Sequence, residues 1–190
     1  MANAQCQPII RGAVVSAIQL ANNAASMLET GHPEAARLFQ FFFGHAPSRP
    51  VPWAGNRASG AIVAIRFRAV ARALQSRGTL FRCNPACTVN ASTCAGSECS
   101  PREPNVVELC QGFWNPPAGL HLAPQFFRGA VILHEMLHLL FTDFFHHPGH
   151  SSGDPVRRRD NAHCYEAFAL RAAGHAADHV DVTACRTRPV

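Results

Sequence analysis

Apolar residues recur every three to four positions along residues 8–30, "PIIRGAVVSAIQLANNAASMLET", and this spacing predicts a helix that the following "GHP" stops. "PEAARLFQFFFG" (33–44) predicts a second helix, with proline near its start and glycine at its end. The proline- and glycine-rich stretch 45–60 reads as a loop, and "AIVAIRFRAVARALQSRG" (61–78) as a third helix, again ending at glycine. "GTLFRC" (78–83) and "NVVELC" (105–110) are short β-prone runs. The cysteine-, serine- and asparagine-rich stretch 83–104 between them reads as a cross-linked loop or hairpin. "GFWNPPAG" (112–119) is a turn. The most apolar helix is "QFFRGAVILHEMLHLLF" (125–141), followed by the loop "HHPGHSSGDP" (146–155). "DNAHCYEAFALRAAGH" (160–175) predicts a last helix, with Asp160 placed to cap it. Neither repeat nor linker divides the pattern, so a single domain over 1–190 is expected.

Composition narrows the class. A chain of 190 residues with 47% hydrophobic and 15% charged residues is globular, with enough length for a sizeable core. No apolar run reaches the roughly 18 residues of a membrane span, and the longest, "GAVILHEMLHLLF", is interrupted by ionisable groups. No membrane association is expected. All 17 basic residues are arginine, giving a net charge of +5. They are scattered apart from Arg157–Arg159, and no nucleic-acid partner is expected. Eight cysteines spread along the chain suggest disulfides and a secreted, extracellular or otherwise oxidising location. Structural zinc on "CNPAC" and "CAGSEC" competes with that reading, although these are not paired CxxC knuckles. "MANAQCQP" does not read as a signal peptide. Asn90-Ala91-Ser92 is a glycosylation sequon, meaningful only in a eukaryotic secretory pathway.

The chemistry sits in "HEMLH". On a helix, His134 and His138 lie on one face, about 40° from eclipsed, and can present two imidazole nitrogens to one ion. Glu135, on a neighbouring face, can reach a zinc-bound water instead of the ion. Zinc lowers the pKa of that water to about 7, and the carboxylate takes its proton as a peptide carbonyl is attacked. The pattern is short enough to arise in a structural helix. Against that, "AVIL" and "LLF" would bury these histidines, which is costly without a ligand or partner. The third ligand is the diagnostic residue. A metzincin would need glycine and histidine where this chain has Phe141 and Phe144, so that class is excluded. Glu166 on the later helix and Asp143 just after the motif both stay open.

"HEMLH", "FTDFFHH" and "NAHCYEAFA" follow one another here, preceded by "LFQFFFG", "LFRC" and "VVELCQGFW". In this order they resemble the aspzincins, the zinc endopeptidases that include deuterolysin and the peptidyl-Lys metalloendopeptidases, whose pattern is HExxH, GTxDxxYG and NADxYxxFA. The resemblance covers most of the chain. It implies an α+β, zincin-like metalloprotease fold, mostly helical with a small sheet and stabilised by disulfides. The N-terminal helices would pack behind the active helix, and a β-edge would bind extended substrate beside the metal. One zinc ion would be held by His134, His138 and Asp143, with Glu135 as base. His146 takes the place of the family's oxyanion-stabilising tyrosine. Asp143 follows His138 by only five residues, and the motif glycines are missing, with Phe141 and His147 nearby. His163 replaces the aspartate of NADxY and is the alternative third ligand; Glu166, Asp154, Asp160 and other loop histidines also stay open. In Lys-specific members an aspartate and a glutamate near this helix start select lysine after the scissile bond. Glu166 matches the glutamate and His163 departs from the aspartate, so both are candidate substrate-binding residues. A chain without lysine is compatible with that specificity, and equally with codon usage. The resemblance suggests bridges Cys6–Cys83 and Cys87–Cys110, which leaves Cys94–Cys99 and Cys164–Cys185.

The expected protein is therefore a monomeric zinc endopeptidase acting on protein or peptide substrates. Two readings compete: a non-catalytic effector or interaction protein on the same scaffold, and a metal- or nucleic-acid-binding protein using Arg157–Arg159. The intact His134-Glu135-His138 triplet favours the enzyme.

Overall fold

The structure is a computed structural model that describes residues 3–76, 78–84, 87–93, 105–141, 160–180 and 185. Helix α1 (Asn3–Glu29) begins five residues before the sequence pattern suggests and runs through Pro8. Pro8 removes one helical hydrogen bond, but Cys6, only 2% exposed, keeps the first turns in the core. Helix α2 (Pro33–Phe43) starts with the His32 ring accepting from the Glu34 N–H. It stops at Gly44, whose φ of 77° suits a residue without a Cβ. The predicted loop that follows contains a two-residue antiparallel pair, β1 (Pro50–Val51) with β2 (Arg57–Ala58). Helix α3 is Ser59–Gln75.

Among the described residues, three strands form the main sheet: β3 (Leu80–Cys83), β4 (Ala91–Thr93) and β5 (Val106–Leu109), in the order β3-β5-β4. β3 runs parallel to β5, and β4 runs antiparallel to it with Thr93 opposite Val107. A short helix α4 (Gln111–Trp114) occupies the predicted turn. The motif helix α5 is Pro124–Leu140, and the last helix among the described residues, α6, is Ala162–Ala172.

Helix α1 is the hub, packed along both α3 and α5. Its buried face is a ladder of small residues, Ala13, Ala17, Ala21 and Ala24. A Cβ on Gly129 of α5 would come within 2.6 Å of the Ser16 Cβ and 3.0 Å of the Ala17 backbone nitrogen. Small residues on both helices therefore let α5 lie close against α1. One apolar cluster continues from this contact through Phe39, Phe43, Phe67, Phe113, Phe127 and Phe168.

Asp160 does not cap α6. The cap is Asn161, whose side chain accepts from the His163 N–H at 2.9 Å. Asp160 instead accepts from Arg66 of α3 at 2.7 Å, and Arg66 also donates to the Tyr165 hydroxyl at 3.1 Å. The guanidinium lies 5.4 Å from the Phe141 ring centre. Arg66 thus ties the end of α5 to the start of α6. Burial opposes its charge, but Tyr165 and Asp160 outweigh burial and hold it more firmly protonated than an ordinary arginine.

Two of the implied bridges are formed, Cys87–Cys110 and Cys164–Cys185. Cys6 and Cys83 are neighbouring thiols instead of a bridge. Burial and the Cys6 thiol push the Cys83 thiol up to about 11. Cys94 and Cys99 lie outside the described residues.

Candidate metal centre

The centre is built on α5, where helical periodicity brings His134 and His138 together. Their Nε2 atoms face each other at 3.1 Å, with ring centres 4.9 Å apart. Two nitrogens, each about 2.0–2.1 Å from one tetrahedral ion, would stand about 3.3 Å apart. This spacing and donor chemistry fit zinc. His138 is 1% exposed and Glu135 is 7% exposed, so the motif lies within the fold.

Glu135 is held from the sheet. Thr93 Oγ1 at the end of β4 donates to Glu135 Oε2 at 3.0 Å. Among the described residues, β4 is the sheet edge beside this helix, because β5 pairs on its other side.

The opposite side of His134 meets α6. Its Nδ1 lies 3.1 Å from Glu166 Oε2. His163 packs its ring 4.5 Å from that of His134, with Nδ1 3.7 Å from the same Glu166 oxygen. His179, beyond α6, places Nε2 3.3 Å from Glu166 Oε1. The donor atoms of His134, His163 and Glu166 lie within 4.8 Å of one another and form a candidate cation cluster. Burial resists the charge of Glu166, but hydrogen bonding to His134, with His163 and His179 close by, holds its pKa well below the usual carboxylate range. For His134, burial lowers the pKa, but the Glu166 hydrogen bond and charge outweigh it, so the net shift is upward.

The predicted residues His134, Glu135, His138, His163 and Glu166 therefore come together. Asp143 and His146 lie outside the described residues, as does Asp154. Two participants were not singled out from sequence. Thr93 lies in an irregular stretch with no alternating pattern. His179 is a lone histidine in the tail, and its nearest cue is Cys185, which returns the chain to α6 through Cys164.

No protein-family model matches the chain, and no curated protein sequence does. Its fold is nevertheless similar to that of a solved structure, a zinc peptidase from Grifola frondosa, with a TM-score of 0.61. The alignment covers 89% of this chain and 96% of that one at 18% identity. The α+β, mostly helical zincin-like fold implied by the sequence resemblance is thus the fold of this chain. Among the described residues, no helix is long and apolar enough to cross a membrane.

Proposed function

We propose that this chain is a zinc-dependent endopeptidase acting on protein or peptide substrates. The observation that carries this reading is the pair of opposed Nε2 atoms at 3.1 Å on the helix that also bears Glu135. Zinc, when bound, acidifies a water molecule and polarises the scissile carbonyl. Glu135 takes the proton of the attacking water and delivers it to the leaving amine, while Thr93 fixes the carboxylate's position. The edge of β4 that has no strand partner among the described residues accepts an extended peptide as a further strand, which sets the scissile bond beside α5. His146, in the segment after α5, supplies a hydrogen-bond donor to the developing oxyanion.

Asp143 is our assignment for the third zinc ligand, with His163 the alternative. His163 sets its ring 4.5 Å from that of His134 and its Nδ1 3.7 Å from Glu166 Oε2. Comparing the zinc affinities of Asp143→Ala and His163→Ala separates the two. A lysine preference through Glu166 would require that carboxylate to meet a substrate cation. Both its oxygens already face histidines, so we propose that the enzyme does not select lysine. A peptide library with varied residues after the scissile bond checks this, and strong lysine enrichment would contradict it.

The protein acts in an oxidising location, consistent with its two described disulfides. Cleavage of an unfolded generic protein by the purified, zinc-supplemented chain tests the activity. Cleavage should stop with a chelator and in Glu135→Ala. Equal cleavage by Glu135→Ala would overturn the proposal and favour a non-catalytic protein on this scaffold.

A further inference from the structure

Glu166 is a buried carboxylate, 5% exposed, surrounded by histidines. Burying such a charge is costly unless its oxygens gain partners, and here the nearest partner is the face of His134 turned away from His138. A histidine that ligates a metal through one nitrogen carries its proton on the other. A carboxylate accepting from that N–H fixes the ring's rotation and strengthens the ligand. His134 shows this division, with Nδ1 3.1 Å from Glu166 Oε2 and Nε2 3.1 Å from His138 Nε2.

Glu166 is itself held from a second direction. After α6 the chain turns at Gly174, with φ of 77°, and doubles back, the His175 N–H bonding the Leu170 carbonyl at 2.9 Å. The Cys164–Cys185 bridge returns the tail to α6, two residues before Glu166. Between these anchors, His179 packs its ring 5.0 Å from that of Phe127 on α5 and sets Nε2 3.3 Å from Glu166 Oε1. A carboxylate approached from both sides has little freedom to leave His134.

We propose that Glu166, steadied by His179, is a positioning residue that orients His134 Nε2 toward the metal. This inference rests on zinc being held by His134 and His138. It gives Glu166 a role on the metal side of the site, and it gives the tail beyond α6 a part in metal binding.

Zinc affinity of the full chain, measured by competition with a fluorescent chelator, tests it. Glu166→Gln should bind zinc about ten- to a hundredfold more weakly, and His179→Gln about three- to tenfold more weakly. His175→Ala, which among the described residues loses a ring contact with Phe126, should bind as wild type does. In the zinc-loaded wild type, a slowly exchanging His134 Nδ1–H signal should appear in a long-range proton–nitrogen spectrum, and it should shift in His179→Gln. Circular dichroism of the metal-free variants verifies folding, and His179→Gln carries the test if Glu166→Gln does not fold. Wild-type affinity in the folded variants overturns the positioning role and leaves the zinc reading standing. A wild-type chain that takes up no zinc overturns both.

Discussion

The two sides of the His134 ring are assembled in different ways. On the Nε2 side, His138 and Glu135 come from the same helix, and 3.6-residue periodicity alone places them. On the Nδ1 side, Glu166 and His163 come from α6 and His179 from a disulfide-returned tail, so the fold must be complete before they meet. On the proposed reading, one side carries the reactive chemistry, and the other fixes the geometry in which that chemistry operates. The first is contiguous in sequence, while the second depends on Arg66 and Cys164–Cys185 to bring distant segments together.

The largest effect should come from the reactive side. Glu135→Gln should lower peptide cleavage by about a hundred- to ten-thousandfold while zinc content stays at the wild-type level. Equal loss of zinc would mean that Glu135 belongs to the binding machinery and would blur the contrast between the two sides. Next comes the joint between α5 and α6. Arg66→Met removes the buried ion pair to Asp160 and the hydrogen bond to Tyr165, and should cost about 3 kcal/mol in urea unfolding. Opening the tail with Cys164→Ser plus Cys185→Ser should cost a comparable amount, about 3 kcal/mol for a closed loop of this size. The same double variant should also weaken zinc binding as much as His179→Gln does. If it loses stability alone, the tail stabilises the fold without shaping the metal site.

The smallest effect is that of pH. In the metal-free protein the lowered pKa of Glu166 contributes stability above its unfolded value, about 4.3. That contribution is lost as pH falls through the lower folded value. The raised pKa of His134 contributes below its unfolded value, about 6.5, and this is lost as pH rises through the higher folded value. Thermal melts of the metal-free chain should show this pair's support between those two pH values, and Glu166→Gln should flatten it. Zinc affinity should fall on acidification as protons compete for His134.

The same contrast explains what sequence could reveal. The helices and "HEMLH" were legible because local periodicity and glycine or proline punctuation encode them. β4 was not, since three residues in a cysteine- and asparagine-rich stretch carry no alternation, and Thr93 was missed with it. Asp160 and Asn161 are both good helix caps. The choice between them falls to Arg66, 94 residues earlier, which claims Asp160. Cys6 and Cys83 come together as expected, but contact alone does not form a bond.

The metal is proposed to sit on the Nε2 side of His134. A crystal structure of the zinc-loaded chain, with anomalous data at the zinc edge, tests this most directly. One zinc ion bonded to the Nε2 atoms of His134 and His138, with Glu166 accepting from His134 Nδ1–H, is the predicted result. A zinc ion lodged instead among His134 Nδ1, His163 and Glu166, or no zinc peak at all, would contradict it.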